Sequence, residues 1–179
     1  MFETDRLIIR KFNEKDWKDI SEFLMDENVV HFEPYGVFTL EQCKEEAVKF
    51  AKSDSFWAVI LKEENKVIGK LYFDNKNSFD TWELGYTFNA SYQGKGYAKE
   101  SSTAIMDYAF RNWNTRRIIA SADVLNEKSW RLLEKLGMRK EAHFIKKSAF
   151  NTDTDGNLIW QDSYGYAILK EEWMNRQSR

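Results

Sequence analysis

An α+β fold, with one mixed and mostly antiparallel sheet flanked by helices, is predicted by three features of the chain. Apolar residues switch repeatedly between a spacing of two and a spacing of three to four. Three strand-like runs follow one another between residues 55 and 88, with no helical pattern among them. Beyond that point helical and strand-like segments alternate, which gives the order β-α-α-β-β-β-α-β-α-β-β. With 179 residues and 42% hydrophobic content, the chain is long enough for one packed core and short for two, so residues 1–179 read as a single domain. Neither an internal repeat nor a Pro/Ser-rich linker interrupts it.

Each element has a local reason. Arg6 to Phe12 is a β-rich run, and Asn13 with Asp16 three residues on resembles a capped start for a helix carrying Trp17, Ile20, Phe23 and Leu24. Thr39 and Gln42 form a capping box for a second helix, whose buried stripe is Cys43, Ala47 and Phe50. Ser55 to Leu61 and Val67 to Phe73 flank the polar Glu63-Glu64-Asn65 and read as a hairpin. In the strand Thr81 to Phe88, Trp82, Leu84, Tyr86 and Phe88 share one face, and Glu83, Gly85 and Thr87 share the other. Tyr97 to Trp113 places Ala98, Ser101, Ile105, Tyr108 and Ala109 at helical spacing, and Arg117 to Ala122 is a short apolar strand. Asn126 caps a helix bearing Trp130, Leu133 and Leu136, which Gly137 ends in the left-handed conformation. Lys140 to Ser148 and Leu158 to Leu169 are the last strands.

Composition restricts function. A net charge of −2 without a long basic run supplies no electrostatic footprint for nucleic acid. No apolar stretch approaches the length of a bilayer span, and the first residues have neither the basic region nor the apolar run of a signal peptide. Cys43 is the sole cysteine, so no intrachain disulfide forms and a reducing cytoplasm is expected.

The chemistry concentrates where the strand ending Tyr86-Thr87-Phe88 runs into Gln93-Gly94-Lys95-Gly96-Tyr97-Ala98 and a helix begins. A glycine turn that opens a helix presents unpaired N–H groups and the positive end of the helix dipole, a geometry suited to phosphate. A nucleoside-triphosphate loop requires Ser or Thr after Gly-Lys, and Gly96 stands there instead. A dinucleotide fingerprint requires a small residue where Lys99 stands, and a first strand rather than a strand meander before it.

The remaining pattern, Gln-x-x-Gly-x-Ala at Gln93, Gly96 and Ala98, resembles the diphosphate loop of the GNAT superfamily of acetyl-coenzyme A dependent N-acetyltransferases. A second patch, Asn126-Glu127-Lys128-Ser129 leading to Leu136-Gly137-Met138, is similar to that superfamily's fourth helix. Glu3-Thr4-Asp5-Arg6-Leu7-Ile8-Ile9-Arg10 and Trp82-Glu83-Leu84-Gly85-Tyr86 resemble the branch of ribosomal-protein N-terminal alanine and serine acetyltransferases. The order of elements is that of the GNAT fold. The resemblance implies acetyl-coenzyme A as cosubstrate, held by Tyr86, Thr87, Phe88, Gln93, Gly94, Lys95, Gly96, Tyr97, Ala98, Asn126 and Ser129. In the resembled family the backbone amides of this loop hold the diphosphate, and the strand that here ends at Phe88 pairs with the pantetheine like an added strand. The resemblance also implies that an N–H near Phe88 stabilises the oxyanion. A homodimer through sheet edges or C-terminal strands also agrees with the resemblance.

Glu83 is the candidate base and Ser129 the second candidate catalytic residue, one turn beyond Asn126. Leu133 stands where many members of the superfamily carry a tyrosine that protonates the leaving thiolate. That departure leaves the acid to Ser129 or water and keeps a non-catalytic acyl-coenzyme A binding module open as an alternative. The acceptor expected from the branch is a protein N-terminus; a small amine such as an antibiotic or polyamine is the alternative. Tyr86 and a flexible Phe32-Glu33-Pro34-Tyr35-Gly36 segment would line its side. Asn151-x-Asp153-x-Asp155-Gly156 with Asp162 imitates an EF-hand loop, but its strand-like flanks make it a polar hairpin tip. His31 and His143 lack companion ligands at metal spacing, so no metal is expected.

Overall fold

The computed structural model describes residues 1–76 and 80–177. Eight strands form one sheet in the order β1-β2-β3-β4-β5-β6-β8-β7. They are β1 (Phe2–Glu3), β2 (Leu7–Lys11), β3 (Phe56–Leu61), β4 (Lys66–Asn75), β5 (Thr81–Phe88), β6 (Arg117–Asp123), β7 (Arg139–Thr152) and β8 (Leu158–Leu169). Among the described residues six α-helices accompany them: α1 (Trp17–Leu24), α2 (Glu27–Val30), α3 (Leu40–Lys52), α4 (Tyr97–Asn112), α5 (Glu127–Lys135) and α6 (Lys170–Gln177). Every neighbouring pair is antiparallel except β5 and β6, which run parallel. The predicted α+β class and the three consecutive antiparallel strands before the glycine turn are both present.

Two cores lie on opposite faces of the sheet. One joins Leu71, Phe73, Leu84 and Phe88 to Ile105, Met106, Ala109 and Phe110 of α4, Leu133 of α5 and Trp173 of α6. The other joins Ala58, Ile60 and Val67 to Ile20, Phe23 and Leu24 of α1 and Cys43, Ala47 and Phe50 of α3. Each of the fully buried aliphatic and phenyl side chains stabilises the fold by about 1.5–3 kcal/mol relative to exposure. A bulge in β4 switches which residues face which core: Val59 pairs with Gly69 whereas Ile60 pairs with Val67, leaving Ile68 over. Ile68 and Leu71 therefore share a face although their separation is odd, and Lys70 is sent to the opposite face.

Several boundaries differ from the sequence reading. The Asn13–Asp16 capping box is present, but it closes a single 3-10 turn over residues 14–16 before α1 begins. The second capping box, at Thr39 and Gln42, starts α3 as expected. Tyr108 is 38% exposed, and the true buried stripe of α4 is Ser101, Ser102, Ile105, Met106, Ala109 and Phe110. The stripe is broad because α4 packs against both the sheet and α5, so small residues are accepted inside. α6 is an addition: Trp173 inserts beside Phe110, with ring centroids 5.9 Å apart, and donates its indole N–H to Asp107 at 3.1 Å. β7 runs on to Thr152, and its turn is closed by Asp153, whose carboxylate accepts N–H groups of Asp155 and Asn157 at 2.9 and 2.8 Å. Strands flank this tip, as the hairpin reading required; the side chain of Asn151 lies outside the described residues. His143 reaches Asp162 at 3.1 Å. Among the described residues no group of potential ligands is placed to hold a metal ion, and no helix is long and apolar enough to cross a membrane.

Candidate active site

The site begins with a fork in the sheet. β5 and β6 pair only at Thr81–Arg117, Trp82–Ile118 and Glu83–Ile119. β6 then stays with β8 as far as Asp123, and β5 stays with β4 as far as Phe88. Leu84 to Phe88 thus offer an unpaired edge on the side facing β6, the kind of edge that an extended ligand completes by strand addition. Glu83 occupies the last paired rung, at the mouth of the fork.

The far end of β5 is held by side chains. Gln93 donates its amide Nε2 to the Phe88 carbonyl at 3.0 Å, bracing the loop against the strand it leaves. Asn89 accepts the Ser91 N–H and donates to Glu22, each at 3.0 Å. Gly94 and Gly96 then take positive φ angles of 76° and 86°, which only glycine adopts cheaply. Among the described residues the N–H groups of residues 94 to 98 find no acceptor, so a row of donors ends at the positive terminus of α4. Those donors and the absent Cβ atoms fit a diphosphate. Lys95 lies over the Tyr92 ring at 5.2 Å, and Tyr97 is covered by Arg6 at 4.4 Å.

Across the fork, Asn126 caps α5 by accepting the Ser129 N–H at 3.2 Å. Tyr86 crosses from β5 and donates its hydroxyl to the Ser129 carbonyl at 2.9 Å, with Ser129 Oγ at 3.1 Å. Burial pushes the Tyr86 hydroxyl above its ordinary range, against the lowering effect of Ser129, so it stays protonated at neutral pH. The structure therefore brings Tyr86, Asn126 and Ser129 together. Leu133 is buried one turn further, packed in the core.

Glu83, Gly85 and Thr87 face the α1–α3 side, as the alternation required. Glu83 pairs with Lys76 at 3.2 Å, and Lys76 donates to the Tyr72 hydroxyl at 2.6 Å. Thr87 donates to Glu33 at 2.7 Å, and Tyr35 packs its ring 5.1 Å from Phe38. The 32–36 segment, expected to be flexible, is thus tied to β5. Lys70, beside Thr87 in the ladder, is 94% buried among the rings of Tyr35, Phe50 and Phe56, and burial lowers its pKa. Its burial comes from the β4 bulge, which no residue pattern announces. A groove of about 840 Å³ lies elsewhere, between α4 and the N-terminal strand, and reaches the loop only at Gly96.

The family model described as "Acetyltransferase (GNAT) domain" matches residues 6–139. The chain is 43% identical over 172 residues to the uncharacterized N-acetyltransferase YnaD of Bacillus subtilis (strain 168), covering 95% of this chain and 97% of that protein. It is 30% identical over 182 residues to the [ribosomal protein uS5]-alanine N-acetyltransferase of Escherichia coli (strain K12), covering 95% and 91%. Among solved structures, a GNAT-family acetyltransferase from Bacillus anthracis superposes with a TM-score of 0.85 at 39% identity, covering 94% of this chain and 98% of that one. A forked sheet, a glycine loop with free donors and these relatives converge: the chain belongs to the GNAT family and is an acetyl-coenzyme A dependent N-acetyltransferase.

Proposed function

We propose that this enzyme acetylates the α-amine of a protein N-terminus in the cytoplasm, with Glu83 as base. The observation that carries the reading is the charge pattern on the acceptor side of β5. Lys76 and the buried Lys70 stand beside Glu33, Asp74 and Glu83, so the carboxylates outnumber the lysines by only one and are largely ion-paired, a weak attraction for a polycation. The similarity to the uS5-alanine enzyme over nearly the whole chain supports a peptide end. An α-amine with a pKa of about 7.7–8.0 also requires a weaker base than a lysine amine at about 10.4.

The cosubstrate supplies an acetyl thioester, and the chain supplies the rest. Amides of Gly94 to Ala98 hold the diphosphate, and the open edge from Tyr86 to Phe88 aligns the pantetheine. Glu83 takes a proton from the incoming ammonium, directly or through one water. Ser129 Oγ, 3.1 Å from the Tyr86 hydroxyl, is the donor we assign to the leaving thiolate, a role Leu133 cannot fill. A thiol pKa near about 8.5 makes that thiolate a tolerable leaving group, so hydrogen bonding suffices. Cys43 is buried on α3 and takes no part.

The test is thiol release with a panel of peptides beginning Ala or Ser, the same peptides with blocked α-amines, polyamines and amino-sugar antibiotics. Free α-amines are expected to turn over with the highest kcat/KM, rising with pH through the α-amine pKa, and Glu83→Gln to lower it by about a hundredfold. Faster turnover of polyamines, or an unchanged rate in the Gln variant, contradicts the acceptor or the base respectively.

A further inference from the structure

The segment before β2 grips the back of the glycine loop. Arg6 donates Nη1 to the Lys95 carbonyl at 3.1 Å and Nε to Glu100 Oε2 at 2.8 Å, while Nη2 lies 2.5 Å from the same oxygen. Its guanidinium also covers the Tyr97 ring at 4.4 Å. Glu100 is gripped further by Thr4 Oγ1 at 2.5 Å and by the Arg6 N–H at 3.2 Å, both on Oε1. Thr4 is itself fixed by the Leu7 N–H at 3.0 Å. The contacts of Thr4 and Arg6 with the loop and α4 span from 89 positions of sequence, for Arg6 and Lys95, to 96, for Thr4 and Glu100, and converge on residues 95, 97 and 100.

Two consequences follow from the chemistry. The loop contains two glycines, so without a brace it samples many shapes, and aligning its amides at the moment of binding costs affinity. Arg6 holds the Lys95 carbonyl, which orients the peptide group leading into Gly96. Glu100 places a carboxylate in the first turn of α4, one turn from where phosphates bind. Burial raises its pKa, but hydrogen bonds from Thr4 and Arg6 outweigh this and hold it below the usual carboxylate range, so it is ionised. Arg6 offsets that charge and ties it to the N-terminal segment.

We propose that Arg6 is a positioning residue for the diphosphate loop, acting through the Lys95 carbonyl and Glu100 to preset the amides and cancel a nearby negative charge. The inference rests on the loop binding the diphosphate, as proposed above. Its signature is selectivity: Arg6 matters for a donor with a diphosphate and not for one without.

The experiment compares acetyl-coenzyme A with S-acetylpantetheine, which keeps the thioester but has neither diphosphate nor nucleotide. Arg6→Met is expected to raise KM for acetyl-coenzyme A by about tenfold or more, with kcat at saturation unchanged and S-acetylpantetheine kinetics unchanged. Arg6→Lys keeps the charge but not the fork and should recover only part of the loss. Glu100→Gln in the Arg6→Met background should also recover part, by removing the uncancelled carboxylate. If Arg6→Met fails to fold, Arg6→Lys and the double variant carry the same comparison. Equal losses with both donors, or no loss with either, overturn the proposal. Calorimetry of coenzyme A with Gly96→Glu separates the two levels: no weakening there refutes the loop reading itself, whereas weakening there with Arg6→Met silent refutes only the role of Arg6.

Discussion

Gly96→Glu is expected to weaken coenzyme A binding by about a hundredfold or more while the protein still folds. Gly96 has φ of 86°, and a side chain forced into the left-handed region costs about 1–2 kcal/mol. The new Cβ would stand 3.5 Å from Arg6 Nη2, ordinary contact, so the fold accommodates it. The carboxylate, however, would stand among amides proposed to receive a diphosphate, replacing attraction by repulsion between like charges. A loss of about 2.7 kcal/mol corresponds to a hundredfold, the combined effect expected of left-handed backbone strain and one misplaced charge against a diphosphate. Calorimetry of coenzyme A against wild type and variant, with melting curves for both, reads the effect. Gly96→Ala serves as the control for backbone strain alone and should lose much less.

Gly69→Ala should be the most damaging single methyl group in the sheet. A Cβ on Gly69 would lie 2.6 Å from Phe88 Cδ1 and 2.8 Å from the Thr87 carbonyl oxygen. The ring has little freedom, since Phe88 is buried in the core, and the carbonyl belongs to the β5 backbone. Overpacking of this kind costs about 1–3 kcal/mol, and here relief requires β5 to shift away from β4. That shift moves the open edge and the Phe88 carbonyl on which Gln93 rests. The expected outcome is a melting temperature lower by several degrees, roughly 2–4 °C per kcal/mol for a chain of this size, together with a raised KM for acetyl-coenzyme A. Unchanged stability would mean that the β4 bulge relaxes more freely than its contacts suggest.

Local signals carried the fold a long way. The Thr39 capping box, the hairpin turn at Asn65, the strand from Thr81 to Phe88 and the left-handed Gly137 are specified by a few adjacent residues and appear where those residues place them, whereas the Asn13 capping box forms but opens a 3-10 turn ahead of α1. α6 was not legible because its apolar stripe is short, and its reason to form is Trp173 meeting Phe110 and Asp107 from another helix. α2 is a single turn capped by Asp26, too short for any periodicity to mark. The mispositioned Tyr108 has a similar origin, since spacing shows that a stripe exists but not how wide the neighbouring surfaces are.

At the site, the glycine loop and the Asn126 cap were visible because backbone conformation demands those residue types. The contacts that assemble the site were not. Tyr86 meets Ser129 only because β5 and β6 part after Glu83, and Arg6 meets Lys95 and Glu100 only because the N-terminal segment crosses behind α4. In the sequence Arg6 is one letter of the opening Thr-Asp-Arg-Leu. Its partners lie about ninety residues away, and no periodicity links them. The Lys76 partner of Glu83 and the burial of Lys70 depend likewise on strand register and on the bulge.

The most direct test of the central claim is a crystal structure grown with acetyl-coenzyme A. It is expected to show diphosphate oxygens about 2.7–3.2 Å from main-chain nitrogens of residues 94 to 98, and the thioester in the fork beside Glu83. Density for the diphosphate in the groove between α4 and the N-terminal strand, or anywhere that leaves those amides facing solvent, would contradict it.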